Sequence, residues 1–532
     1  MLRRRTPLLR TPAVCGALVL CGCAALPPGR ETAPTHALTQ PPNPALLQPF
    51  AAAAQAHPGE SGFRLFSVGV DGLLLRLELI ATARSSLDLQ YYIFHGDESG
   101  RLVTDALSRA AARGVRVRIL IDDADSATGD EQLYGLAAQS NVAIRVFNPW
   151  HYRGHNGFLR GTEYLFNHGR LDYRMHNKLF IVDGALALAG GRNIGDQYFQ
   201  VDPESQFADD DVLVSGPAVP QLAATFEEFW ESDAAAAAQS LLSPQRIAAA
   251  GQSLERRITT PEKAAQAGFD YQGRLAAGEP LAGVLAGQSP LAWARAEVAC
   301  DSPDKRNHVE SGARVGGLLF PPVEDAIRAT QSELTMVMPY LIPTPGELKL
   351  LEDERAQQRR VRILTTSLES ENDPFAQSGY THYRVTLLEA GVELYEMRAR
   401  PGNRRGSGES TRLTHSGNYS LHAKLMVFDR SGLFVGSMNY DQRSRRLNTE
   451  NGLIIHSAEL ATETARRFAA MSDPQNAYRV TLERAAPDDP PQPRWTTLEA
   501  GHALTLDSEP ARSEWQKLEV HFLALLPLDR EL

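Results

Sequence analysis

Two eight-residue stretches of this chain place an imidazole and an ammonium group two positions apart, with a carboxylate five positions further on. The first is His176-Asn177-Lys178-Leu179-Phe180-Ile181-Val182-Asp183, trailed by Gly190-Gly191-Arg192-Asn193; the second is His422-Ala423-Lys424-Leu425-Met426-Val427-Phe428-Asp429, trailed by Gly436-Ser437-Met438-Asn439. Residues i and i+2 of a strand project to one face, so His176 and Lys178 are predicted to point together, as are His422 and Lys424. The apolar run behind each pair predicts a buried central strand. Protonated lysine is no metal ligand and no second His or carboxylate falls at a metal-like spacing, so no metal is expected. A serine nucleophile elbow and a Walker loop are both missing from the sequence. Two imidazoles and two ammonium groups suit a phosphoryl centre, with one His to attack, one to move protons, and two lysines to neutralise charge. The lysines take the role of a divalent ion, and no cofactor is expected. Each copy alone supplies too few groups, so the two are expected to build one site.

The elements that would position these groups repeat as well. Leu87 to Phe94 reads as a strand, Gly100 to Arg113 as an amphipathic helix and Val115 to Ile121 as a strand; Leu334 to Ile342, Pro345 to Gln358 and Val361 to Leu364 repeat that order. The Val-Arg-Ile-Leu of 117–120 recurs at 361–364, an offset of 244, and the two histidines are offset by 246. Motif and scaffold were therefore duplicated together, as βαβ units with mixed or parallel sheets. Lysine is scarce: the chain has 48 Arg and six Lys, at 178, 263, 305, 349, 424 and 517. Where lysine does stand, a compact point charge is wanted in place of a flat fork.

With 532 residues, 43% hydrophobic and 22% charged, the chain is long enough for two domains, which excludes a disordered chain or a small disulfide scaffold. Basic residues number 54 and acidic 64. A general polyanion-binding surface is therefore not expected, and contact with phosphate must come from a few placed groups.

The first 22 residues carry Arg3, Arg4, Arg5 and Arg10, an apolar run from Ala13 to Leu20, and then Leu20-Cys21-Gly22-Cys23. The run is too short to span a bilayer and reads as a signal peptide, residues 1–22. The Leu-x-Gly-Cys that follows resembles the bacterial lipobox, which implies acylation of Cys23. Residues 23–60, rich in Pro and Ala, are expected to form an extended tether. Cys300 then has no intramolecular partner, so the exported core must hold without disulfides.

The twice-repeated His-x-Lys-x4-Asp followed by Gly-Gly/Ser-x-Asn resembles the phospholipase D superfamily, over nearly all of 63–532. Leu-Gln-Tyr-Tyr-Ile at 89–93, Arg-Met-His-Asn-Lys at 174–178, Gly-Gly-Arg-Asn-Ile-Gly-Asp at 190–196, Gly-Val-Glu-Leu-Tyr-Glu at 391–396 and Asp441-x-Arg443-Ser444-x3-Asn448-Thr449-Glu450 are similar to bacterial cardiolipin synthases, those of the C type above all. The resemblance implies an α/β fold: a duplicated sandwich of two halves related by a pseudo-twofold axis, each a mixed sheet between helices, sharing one active site. It implies that one histidine, His176 or, by the near symmetry of the motifs, His422, forms a phosphatidyl-histidine while the other protonates the leaving alcohol. Lys178, Lys424, Asn193, Asn439 and Ser437 would donate to the phosphate, and Asp183 and Asp429 would brace the halves. Glu450, 28 residues after His422, matches the family's downstream carboxylate, and Asp209 of Asp209-Asp210-Asp211 holds the similar place after His176; such carboxylates fix an imidazole's tautomer.

The expected organisation is a first half at 61–234, a connector at 235–310 in which no chemistry is read, and a second half at 311–532. The second half ends in an amphipathic segment with Trp515, Leu518, Val520, Phe522, Leu523, Leu525 and Leu526, which either packs on the core or lies in a lipid interface. The expected function is a bacterial phosphatidyl transferase, lipid-anchored on the periplasmic side of the inner or outer membrane. It would join a donor, phosphatidylglycerol or phosphatidylethanolamine, to phosphatidylglycerol. A phospholipase D-type hydrolase uses the same intermediate, and an envelope lipoprotein that merely binds phospholipid would not need two intact motifs. Partners are membrane phospholipids; acidity and the lack of a basic stripe argue against nucleic acid. The sequence does not set the oligomeric state.

Overall fold

The computed structural model describes His36 and residues 43–124, 130–154, 156–202, 204–257, 280–311, 317–371, 373–400, 418–484, 486 and 488–526. Cys23 and the signal segment lie outside the described residues.

In the first half, β1 (Ser61–Phe66), β2 (Ser86–Tyr91), α1 (Glu98–Ala112), β3 (Arg116–Asp122) and β4 (Val142–Phe147) lead to a second helix, α2 (Gly157–Leu171). After it come β5 (Leu179–Val182), β6 (Leu186–Gly190), β7 (Asp211–Ser215) and helix α3 (Ala218–Glu231). Strands β2, β3 and β4 pair in parallel, with α1 as the crossover, and β5 runs antiparallel beside β2. The second half repeats this. Its parallel core is β8 (Glu333–Val337) and β9 (Arg360–Thr366), crossed over by α4 (Pro345–Ala356), then β10 (Glu393–Met397) after α5 (Pro374–Glu389). Strands β11 (Leu425–Phe428), β12 (Gly432–Gly436) and β13 (Asn451–Ile455) follow, then helix α6 (Ala458–Met471) and the C-terminal helix α7 (Glu514–Leu523). The result is one nine-stranded and one ten-stranded sheet.

Side-chain alternation explains how the sheets stack. On β5, Phe180 and Val182 enter the core of their own half, whereas Leu179 and Ile181 enter a second core shared with Leu425 and Val427 of β11. Met426 and Phe428 of β11 return to the second half's own core. The inner faces of the sheets therefore meet each other, with α3 and α6 in the same seam, and the outer faces carry α1 in the first half and α4 and α5 in the second. Each fully buried Leu or Ile in that seam contributes about 1.5–3 kcal/mol.

Three expectations change. The predicted strand 334–342 is broken into Glu333–Val337 and Leu341–Ile342, because Pro339 has no N–H to donate and its carbonyl is taken by the hydroxyls of Thr365 and Thr366. The tether is folded in its last part: Asn43 caps a short helix, Pro44–Leu47, and Leu46 and Phe50 are buried in the first half's core. The connector, read as a link with helices, also supplies strands: Ala292–Ala294 extends the first sheet beside β1 and Ala296–Cys300 extends the second beside β13.

Asp183 and Asp429 end β5 and β11 in matching left-handed turns. Asp183 accepts from the backbone N–H groups of Arg84, Ser85 and Ser86, the Ser85 hydroxyl and the Asn43 amide. Asp429 accepts from Gln331, Ser332 and Glu333 in the same way. Each braces its own half at the strand end roughly 20 Å from the motif histidine, seven residues away, not the contact between halves. Burial alone raises the Asp183 carboxyl, and these donors more than offset it, holding it below its ordinary value. A depressed carboxylate stabilises the fold above its unfolded value and loses that contribution as pH falls through the folded one. Asp183→Ala is therefore expected to cost about 2–4 kcal/mol near neutral pH. The difference in thermal midpoint from the parent should narrow on acidification; an equal midpoint at neutral pH would contradict the brace.

Candidate functional site

Two short backbone bridges between the halves build the site. Residues 205–208 and 418–421 pair in parallel, Ala208 opposite Leu421, and the Ala208 carbonyl accepts from the N–H groups of His422 (2.8 Å) and Ala423 (2.9 Å). At the related place Met175 and Thr449 form a parallel bridge, where His176 N–H donates to the Thr449 carbonyl (2.9 Å) and Thr449 N–H to that of Arg174 (2.9 Å). The residue after Ala208 is Asp209 and the residue after Thr449 is Glu450. Parallel register thus sets each carboxylate beside the other half's histidine.

His176 Nδ1 lies 2.8 and 3.0 Å from the two Glu450 oxygens, and His422 Nδ1 lies 2.6 Å from Asp209 Oδ2. A carboxylate only accepts, so it holds the ring proton on Nδ1 and leaves Nε2 with its lone pair. The chain order, with each carboxylate following its own half's histidine, gives no sign of this exchange. His176 and Lys178, like His422 and Lys424, sit in the extended lead-in before β5 and β11, not within the strands. The ammonium of Lys178 donates to the His176 carbonyl and that of Lys424 to the His422 carbonyl, which folds each cation back toward its imidazole. Both histidines and both lysines are buried.

The trailing residues divide. The Ser437 hydroxyl donates to Glu450 and accepts from Asn451 N–H, so it supports the carboxylate. Asn193 is occupied at both ends, by Ile93 N–H and the Tyr198 hydroxyl. Asn439 is buried and its Oδ1 has no hydrogen-bond partner among the described residues. The duplication is unequal here: a Cβ on Gly191, the counterpart of Ser437, would fall 2.1 Å from Asp209 Oδ1. The shorter carboxylate thus goes with the missing side chain. The neighbouring acids are engaged elsewhere, Asp210 with Arg467 across the seam and Asp211 with Arg76 and Arg192.

Sequence reasoning missed the group that holds the Glu450 loop, because it lies in the connector. Lys305, buried, donates to Asp301 Oδ2 (2.7 Å) and to the carbonyls of Ser444 (2.6 Å) and Asn448 (2.7 Å). Asp301 Oδ2 also accepts from Glu450 N–H (2.9 Å), and the Ser444 hydroxyl donates to Glu450 Oε1 (3.0 Å). The rarity of lysine was the available signal. Aromatic walls were missed too: Tyr92 meets His176 edge-on at 4.9 Å, and Tyr198 meets His422 edge-on at 5.1 Å.

Burial, then the charges of Lys178 and Lys424, hold His176 well below the ordinary histidine value. Burial and then Lys424 lower His422 to about 3, against the opposing pull of Asp209. Both rings rest neutral. Burial also lowers Lys178 well below its ordinary value, with Glu450 opposing, and lowers Lys424 to about 8, with Asp209 opposing. Among the described residues no group of three or more His, Cys, Asp or Glu is placed to hold a metal ion. Two neutral imidazoles with fixed tautomers beside two cations can attack a phosphodiester, pass its protons and hold its charge.

Fold and site define an enzyme of phosphodiester transfer. The sequence pattern of the family described as "Cardiolipin synthase, PLD-like domain" matches residues 77–230 and again 323–472. This chain belongs to that family. It is 34% identical over 477 residues to Cardiolipin synthase C of Escherichia coli (strain K12), which spans 89% of this chain and 96% of that protein. An uncharacterized protein of Helicobacter pylori is 28% identical over 487 residues, 91% of this chain and 92% of that one. The crystal structure of phosphatidylserine synthase of Haemophilus influenzae Rd KW20 superposes with a TM-score of 0.52 at 12% identity, covering 81% of this chain and 91% of that chain, a likeness of fold.

The lysines give the site an alkaline limit. A depressed ammonium loses its charge as pH rises through its value, so kcat/KM is expected to fall as pH passes about 8. Lys424→Arg, charged throughout, should weaken that limb while lowering the rate. A parent profile flat through this range would contradict the assignment.

Proposed function

We propose that this protein transfers a phosphatidyl group from a donor, phosphatidylglycerol or phosphatidylethanolamine, to the free glycerol hydroxyl of a second phosphatidylglycerol, making cardiolipin. The observation that supports it best is the convergence of two imidazoles, each oriented by a carboxylate from the opposite half, with two buried ammonium groups beside them.

In the first step Nε2 of His176 attacks phosphorus, the bond from phosphorus to the headgroup oxygen breaks, and His422 gives that oxygen a proton. In the second, His422 takes the proton of the incoming hydroxyl, whose oxygen attacks phosphorus and breaks the bond to His176. We assign attack to His176 because its carboxylate is the more firmly held, by Ser437, Ser444 and the backbone bond to Asp301. The negative phosphodiester raises His422 from its low resting value, so that the ring can carry a proton while substrate is bound. Lys178, Lys424 and the amide of Asn439 hold the phosphate oxygens as charge develops. Asp209 and Glu450 are positioning residues. The remaining expectation places the protein in the bacterial envelope, acylated at Cys23 and facing the periplasm; among the described residues no helix is long and apolar enough to cross a membrane.

Transfer has to outrun water at the same phosphorus, which requires the second lipid to be held in place and water to be kept out. With phosphatidylglycerol vesicles, alone or mixed with phosphatidylethanolamine, cardiolipin with glycerol or ethanolamine should be the main product. His176→Ala and His422→Ala should each remove nearly all of it. Predominant phosphatidic acid would make the protein a phospholipase D-type hydrolase, and about half of the activity remaining in either variant would refute a shared site.

A further inference from the structure

Helix α2 is built inside out. Of its 15 residues Leu171 alone is buried, while Phe158, Leu165 and Phe166 are 77%, 69% and 79% exposed and Leu159 is 42% exposed. At 3.6 residues per turn these four and Thr162 share one face. The opposite face holds the body through polar groups. Glu163 accepts from the backbone N–H groups of His151 (2.7 Å) and Tyr152 (2.9 Å), the Tyr164 hydroxyl donates to Asp172 (2.7 Å), and the Tyr164 ring stacks on Trp150. A water-soluble helix ordinarily buries the first face and exposes the second. Contiguous exposed aromatic and aliphatic side chains on one element mark a contact surface.

Its place in the fold says what it contacts. Trp150, against which α2 packs, also lies under the guanidinium of Arg174, two residues before His176. The helix ends at Leu171, five residues before that histidine, and so stands at the edge of the first sheet where the site opens. Of the charged groups of α2, Glu163 accepts from the body, Arg170 donates to Asn148 and the Pro149 carbonyl, and Arg160 lies over the Trp150 ring, so the helix exposes no carboxylate beside its apolar face in a chain of net charge −10. The C-terminal helix α7 is arranged alike: Val520 is its one buried residue, and Trp515, Leu518 and Phe522 face outward. It lies on the loop after β9, where the Gln516 amide donates to the Leu368 carbonyl. Trp150, under α2, donates likewise to Asp123 just after β3, and Leu179, three residues after His176, pairs with Gln90 at that same end of the parallel strands, so both exposed apolar helices stand at the site edge of their own sheets.

We propose that α2 seats the protein on an anionic phospholipid bilayer, its Phe158, Leu159, Leu165 and Phe166 face entering the interface and presenting the two-histidine site to the lipid headgroups. The proposal rests on the phospholipid reading above and names the surface through which that substrate is reached. Aromatic and leucine side chains on one face of a helix, with no carboxylate exposed beside them to repel anionic headgroups, are the composition that enters such an interface.

The test uses Cys23→Ala protein, so that no acyl anchor contributes, and phosphatidylglycerol vesicles in co-sedimentation without turnover. Phe158→Ser, Leu165→Ser and Phe166→Ser combined should weaken binding by about fivefold or more, with the thermal midpoint kept because these side chains are exposed. Phe166→Trp, which keeps an aromatic there, should bind as the parent does and gain emission quenched by brominated phosphatidylglycerol. A loss below about fivefold, or no quenching of the new emission, would overturn the proposal. So would a parent that is dimeric in buffer and becomes monomeric in the triple variant with vesicle binding intact, since the face would then meet a second copy. Because binding is read apart from chemistry, a protein that binds these vesicles but forms no cardiolipin in the separate turnover assay above would refute the transferase reading and leave this one standing.

Discussion

Everything at the centre of this protein depends on a carboxylate from one half holding an imidazole from the other. The bonds from Glu450 to His176 and from Asp209 to His422 span 274 and 213 residues of sequence. Both follow from a backbone bridge one residue earlier, where Thr449 and Ala208 accept from the histidine N–H groups. Such a bond does two things at once. It fixes the tautomer that leaves Nε2 reactive, and it makes neither half competent alone. The apolar seam between the sheets, with Leu179 and Ile181 facing Leu425 and Val427, keeps those bridges in register.

The same geometry settles the electrostatics. Four buried groups that could each carry positive charge stand close together, and two of them, the imidazoles, stay neutral because burial and the lysines oppose a further proton. Asp209 is held below its ordinary value: burial works against ionisation, and His422, Lys424 and Arg192 outweigh it. A centre of this kind waits for an anion, and a phosphodiester brings the charge that allows proton transfer to begin. Lys305 and Asp301 extend the network outward. A lysine buried with a carboxylate and two carbonyls fixes the loop that delivers Glu450, and removing one member would strand the other's charge.

What could be read from the sequence was local and periodic. The two motifs, their offset and the strand–helix–strand order around them rest on spacings of two and of three to four residues, and the duplicated α/β fold follows from them. What could not be read rests on contacts that spacing does not encode. Chain order puts Glu450 after His422 and Asp209 after His176, and a parallel bridge exchanges them. Ser437 and Asn193 stand where phosphate donors are expected, but the Ser437 hydroxyl donates to Glu450 and one N–H of Asn193 to the Tyr198 hydroxyl. Lys305 lies in a stretch without pattern and becomes legible when its three acceptors are seen. The segment from Asn43 to Phe50 reads as a tether from its prolines, yet two side chains, Leu46 and Phe50, suffice to dock it.

The central claim is the exchange of carboxylates, and the most direct measurement is NMR of the Nδ1–H protons in histidine-labelled protein, with signals assigned through His176→Ala and His422→Ala. Glu450→Gln should displace the His176 signal and leave that of His422 in place, while Asp209→Asn should do the reverse. If Glu450→Gln instead moved the His422 signal and spared that of His176, each half would orient its own histidine, and the account of a single site built by exchange would be wrong.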